Sequence, residues 1–191
     1  MPRTTDTRQR MVRSAARLLR RQGYAATGWR QVVADSATPW GSQAHHFPGG
    51  KEQLAAEAIR LSGASYERML RAVLAGAHPA DAVRAWAEAA AAALESSNWA
   101  DGCPVATVAL ETAHTSDTLA AACGSALAAW RTVLVQSIAS RGTAAPEASA
   151  LATLILAGIE GALLMARASR DTEPLRTVGR ELATVLTARL G

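Results

Sequence analysis

Apolar residues recur at intervals of three and four along almost the whole chain, and this helical period constrains the fold more than any other feature. Met11, Ala15, Leu18 and Leu19 share one helical face, as do Leu119, Cys123, Leu127, Trp130, Leu134 and Ile138. Hydrophobic residues fill 49% of the 191 positions, yet the chain has one Phe and two Tyr. Its core is therefore built mainly from Ala, Leu and Val, which suits helices. The expected fold is all-α with about nine helices: a three-helix head in residues 1–50 and a helical bundle in residues 51–191.

The formal net charge of +4 hides an asymmetry. The first 60 residues hold ten Lys or Arg against four Asp or Glu, whereas the remainder holds ten against twelve. A basic end on a mildly acidic body suits a polyanion, because Lys and Arg release the counterions condensed on phosphates. Double-stranded DNA is the first partner to consider, and an anionic membrane surface competes with it. Two cysteines, Cys103 and Cys123, are too few for a disulfide framework. The polar start Met1 to Arg10 lacks the apolar stretch of a secretory signal, so the expected compartment is the cytoplasm. The longest apolar segment, Ala148 to Ala168, carries Glu160, Ser149, Thr153, Gly158 and Gly161, and reads as a buried interface helix without a membrane role.

Thr4, Thr5 and Asp6 offer cap oxygens for a first helix ending near Gln22, with Gly23 free to take the left-handed conformation that closes it. Arg8, Arg10, Arg13, Arg17, Arg20 and Arg21 decorate its surface, either as a solvated face or as phosphate clamps. A second helix fits Gly28 to Ser36, capped by Thr27, with Val32 and Val33 inward. Ala37 and Thr38 form a turn. A third helix then fits Pro39 to His46, with Thr38 as cap and Pro39 at its first position. Only two turns long, it needs its neighbours for stability while one face stays outward, as in a recognition helix.

Thr27, Arg30, Thr38-Pro39-Trp40-Gly41-Ser42 and His45-His46-Phe47-Pro48-Gly49-Gly50-Lys51-Glu52-Gln53-Leu54 carry a resemblance to the TetR/AcrR family of transcriptional regulators. Pro48 to Leu54, with Gly102-Cys103-Pro104-Val105 and Ala109-Leu110-Glu111, resembles the LmrA/YxaF-type branch. The resemblance implies that His45, His46 and Lys51 approach phosphates, that Gly41 admits the backbone closely, and that Phe47 anchors the third helix. Ser42 is then a base or phosphate donor. Three positions depart from the family's pattern: Trp40 replaces a basic residue, Gln43 an aliphatic one, and Ala44 a DNA-contacting Tyr. Ala37 also stands where the turn usually has Gly. Gln43 is either buried or reads adenine in the major groove, and Trp40 is an exposed wedge or packs against the DNA backbone. The paired histidines lack Cys or carboxylate neighbours and diverge around the helix, so no metal is expected there.

Beyond Lys51, one long helix runs to Leu74, and its movement is the expected coupling route between head and body. The family's body binds a small, often apolar or aromatic effector. Tyr66, Met69, Trp86, Trp99, Trp130 and Met165 are lining candidates, or they simply fill the core. Glu111 and His114, one turn apart, either orient a ligand's polar group or pair with each other. Cys103 lies at a helix start, where the dipole favours a thiolate, so a redox-sensing regulator is an alternative. A helical interaction protein with reduced DNA specificity is another. No cofactor is implied, and Cys103, His114 and Glu111 show no nucleophile elbow or metal signature that would suggest an enzyme. Leu151, Leu154, Ile155, Gly158 and Ala162, with Leu175, Val178, Leu182, Val185 and Leu186, form two apolar stripes. Paired across a two-fold axis, the last two helices (about residues 146–190) would make a homodimer matching operator half-sites.

Overall fold

The computed structural model describes residues 4–191, with side chains from Asp6 onward, so the predicted capping by Thr4 and Thr5 lies outside the described residues. Nine helices occur among the described residues. They are α1 (Thr4–Ala26), α2 (Trp29–Ser36), α3 (Ser42–His46), α4 (Gly50–Leu74), α5 (Pro79–Ser96), α6 (Pro104–Thr112), α7 (Asp117–Ala139), α8 (Ala145–Ser169) and α9 (Glu173–Leu190). Packing divides them into two compact units, and α4 and α7 contribute to both.

The first unit comprises the described residues through Ala64 and Cys103–Leu127. Met11, Ala15 and Leu19 of α1 are buried, together with Val32, Phe47, Leu54, Ile59, Val105, Val108 and Leu119. This unit reaches past residue 50 because α6 packs against α1, a contact that no local periodicity announces. Gly23 takes the expected positive φ of 78°, but the chain resumes helical geometry for another turn instead of leaving α1 there. Gly28, not Thr27, is the cap of α2. Thr27 is buried and its hydroxyl donates to the Gly23 carbonyl at 2.6 Å, so its oxygen serves the break in α1.

The third helix is shorter than its sequence pattern suggests. Gly41 has φ 101°, which ends any helical run from Pro39, and α3 begins only at Ser42. Thr38 does not cap it: its side chain is buried and its hydroxyl lies 2.8 Å from that of Ser36. Ala37 adopts φ 48° and ψ 47°, the left-handed conformation that favours glycine. Arg10 braces this turn, donating to the carbonyls of Ser36 at 2.5 Å and Ala37 at 2.7 Å. Ala37→Gly is expected to stabilise the protein by about 1 kcal/mol, raising the melting temperature by roughly 2–4 °C in a calorimetric scan.

The second unit comprises Ser65–Gly102 and Ala128–Gly191. In it α9 packs against both α5 and α8. The α5–α9 contact depends on Gly179, where a Cβ would stand 2.5 Å from that of Ala87. Ala91, Leu94, Ala162, Ala166 and Leu175 form a buried cluster on which Trp99 packs. By length and composition alone α7 and α8 could cross a membrane. Trp130, Val133, Leu134 and Ile138 of α7 and Ala152, Ile155 and Ile159 of α8 are nevertheless buried inside the protein.

Candidate nucleic-acid interface

The sequence of the first unit produces an outward face from three short pieces: the start of α2, the turn before α3, and α3 itself. Arg30, Pro39, Trp40, Gly41, Ala44 and His45 are exposed, while Ser42, Gln43, His46 and Lys51 are half-buried. Trp40 is 63% exposed, the largest apolar side chain presented to solvent among the described residues of this unit. Thr27 and Thr38, predicted to touch DNA, are instead held inside by their hydroxyl contacts.

Gln43 settles into neither expected role. Its side-chain oxygen accepts from the Gly41 N–H at 2.7 Å, folding back over the start of α3. Reading adenine would require that acceptor to leave Gly41, because the bidentate pair uses both ends of the amide. The rings of His45 and His46 meet edge to face with centroids 5.0 Å apart. Burial, then the neighbouring His45 and Arg8, pushes the His46 pKa below its ordinary value. Behind them Phe47 is buried beneath α3, its ring 5.9 Å from that of Trp29 and 5.4 Å from the Arg8 guanidinium carbon.

Lys51 opens α4 beside this face. Its ammonium stands 4.1 Å from the centre of the Tyr24 ring and donates to the Ala25 carbonyl at 3.4 Å. Burial lowers its pKa and the Glu111 carboxylate opposes the shift.

The arginines of α1 do not stand as a simple row of phosphate clamps. Arg8 pairs with Glu57 at 2.6 Å, Arg13 with Asp6 at 3.7 Å and Arg17 with Asp35 at 2.5 Å, while Arg10 holds the α2 turn. These guanidiniums first organise the unit's own helices.

The predicted effector-lining residues do not converge on one place. Tyr66, Trp86 and Trp130 come together: the Trp86 indole N–H donates to the Tyr66 hydroxyl at 2.8 Å, and the Tyr66 and Trp130 rings are 4.5 Å apart. Trp99 belongs to the separate cluster around Leu94. Met69 is half-buried, whereas Met165 is 61% exposed and points out of the second unit, so it does not line an interior cavity. In the first unit, Cys103 caps α6, its Sγ accepting from the Ala106 N–H at 3.4 Å. His114 is exposed, and Glu111 turns instead to the Ala25 backbone N–H at 2.7 Å, a contact between residues 86 apart that replaces the expected helical pair. An open groove of about 470 Å³ on this unit, between Arg8, Val12, Arg13, Glu57, Arg60 and Leu61, includes none of the nine candidates.

Residues 79–181 match the family model of the transcriptional regulator LmrA/YxaF-like C-terminal domain. The HTH-type transcriptional regulator YxaF of Bacillus subtilis is 32% identical over 182 residues, covering 95% of each chain. The chain belongs to the TetR family of transcriptional regulators. LmrA of the same organism is 32% identical over 171 residues, with 89% of this chain and 91% of LmrA covered. A TetR regulator of Chloroflexus aurantiacus superposes with a TM-score of 0.82 at 31% identity, covering 100% of this chain and 98% of that one. The all-helical architecture and the helix-turn-helix reading are thereby shown, and the family is one of regulators, not enzymes. Its members bind DNA and typically dimerise and respond to small molecules.

Proposed function

We propose that this TetR-family regulator acts in the cytoplasm as a homodimeric repressor that occupies a palindromic operator and is released by a small apolar or aromatic effector. In this reading residues 1–50 are the DNA-contacting head, and residues 51–191 carry effector binding and dimerisation. Arg30, Trp40, Ser42, His45 and Lys51 meet the DNA, and the Tyr66–Trp86–Trp130 group is the aromatic wall nearest to an effector's chemistry.

The observation that carries the dimer is a seam on the outer surface of α8. Leu154, Ala157, Gly161, Leu164 and Ala168 are exposed at alternating spacings of three and four, with Met165 beside them. Leu154, Leu164 and Met165 are 49%, 62% and 61% exposed. That spacing is the one by which paired helices interlock, and Gly161 leaves open space where a partner helix can approach. The stripe expected from sequence is mostly a different one. Leu151, Ile155, Ala162, Leu175, Leu182 and Leu186 are buried within the unit, and a Cβ at Gly158 would stand 3.3 Å from the side chains of Val178 and Leu182 of α9. An isologous pairing of the outer seams would bury it and set two heads for two half-sites.

Gel shifts on the DNA upstream of the gene test the function. A specific band is expected whose affinity falls steeply with salt, and Lys51→Ala should weaken binding by about tenfold while reducing the salt slope by about one. A complex indifferent to both sequence and salt would overturn the regulator-at-an-operator reading.

A further inference from the structure

Glu111 belongs to α6, yet it packs in the same unit as α1, α2 and the first turns of α4. Its Oε2 accepts the Ala25 N–H at 2.7 Å, just beyond the break in α1 at Gly23. The carbonyl of the same residue accepts from Lys51 Nζ at 3.4 Å. Ala25 is therefore gripped at both its polar backbone groups, by a carboxylate from α6 and an ammonium from α4. Room for the carboxylate exists because residue 23 has no side chain: a Cβ there would stand 1.8 Å from Glu111 Oε1 and 3.2 Å from Thr107 Cγ2. The grip is local to the corner leading into α2, whose cap Gly28 lies three residues beyond Ala25.

We infer that Glu111 is a positioning residue for DNA binding: from α6 its carboxylate fixes the Ala25 corner, and with it the Lys51 ammonium and the start of α2. This assignment rests on the reading of Lys51 and the α2–α3 surface as the DNA face. It gives α6 a part in the head that the residue 50 boundary does not contain. A shift of α6 along or away from α1 would break a directional N–H to carboxylate bond, and the Lys51 ammonium would lose its nearby anionic neighbour. The head would then keep its helices but lose the fixed spacing between Lys51 and α2.

The test compares the full chain with Glu111→Ala and Glu111→Gln in operator binding and in site-resolved amide exchange. Glu111→Ala is expected to raise the operator dissociation constant about tenfold and to speed Ala25 amide exchange by a similar factor. The amides of α5 and α8 should exchange at the rate of the unaltered chain. Glu111→Gln keeps an oxygen acceptor and is expected to remain within about threefold on both measures. Gly23→Ala, whose Cβ would displace the carboxylate, should reproduce the loss seen in Glu111→Ala. Failure of the unaltered chain to form any specific complex would overturn the DNA reading, and amide exchange would still decide the clamp. Unchanged Ala25 exchange in Glu111→Ala overturns the clamp, and faster exchange with unaltered operator affinity overturns its role in DNA binding.

Discussion

Placing glutamate at both Leu154 and Leu164 is expected to convert the protein into a folded monomer at micromolar concentration and to weaken operator binding by at least two orders of magnitude. Both side chains stand out from α8, at 49% and 62% exposure, so the substitutions remove almost nothing from the subunit's own core. In a two-fold dimer the same changes place four carboxylates in a seam that excludes water. Each buried, unpaired charge costs several kcal/mol, and neighbouring carboxylates across the axis repel one another as well. The sum exceeds what an exchange of apolar contacts between a few Leu, Ala and Gly residues can offset. A monomer occupies one half-site and loses the gain that comes from tethering two heads. Sedimentation velocity and circular dichroism check the first part, and gel shifts on the operator check the second. A dimer that persists with both glutamates would move the interface away from this face of α8.

The same helix shows how far the sequence could be read. Period alone identifies α8 as apolar around most of its circumference, and it cannot tell a face turned to α9 from a face turned to a second copy. Leu151, Ile155 and Leu154 therefore look equivalent in sequence, although only Leu154 faces outward. Helix existence was legible throughout, whereas helix ends depended on positive φ angles and hydroxyl partners. Gly41 shortened α3, and Thr27 turned its oxygen to Gly23 instead of capping α2. The exposed part of the candidate interface, from Arg30 through His45, was named by the resemblance to the TetR/AcrR family, and the spacing of short helices around a turn supplied only its layout. Glu111 did not, because its partner lies 86 residues away and the histidine one turn further on in sequence, His114, offered a simpler local pairing. The one sequence signal for that contact was Gly23, which read as a helix terminator but whose missing Cβ also makes space for a carboxylate. Tyr66, Trp86 and Trp130 come from α4, α5 and α7, so their convergence is a property of packing that no single window of sequence contains.

The second large effect is expected at Phe47, the single phenylalanine of the chain. α3 has only five residues, too few to hold a helix by its own hydrogen bonds, so its orientation depends on what lies beneath it. Phe47 is 2% exposed, follows directly on His46, and packs its ring against Trp29 at the start of α2. It thus fastens to each other the two short helices that form the candidate DNA face. Phe47→Ala should cost about 3–5 kcal/mol through lost burial and the cavity left behind. Because that cavity opens under α3, operator binding should disappear even at temperatures where most of the helical signal survives. Phe47→Leu retains an apolar anchor of moderate volume, and its cost should be closer to about 1 kcal/mol, with binding weakened but measurable. Thermal melts followed by far-ultraviolet circular dichroism, alongside gel shifts at a temperature below both transitions, separate the two contributions. An alanine variant that melts well below the leucine variant yet binds the operator equally well would show that α3 is held by something other than its aromatic anchor.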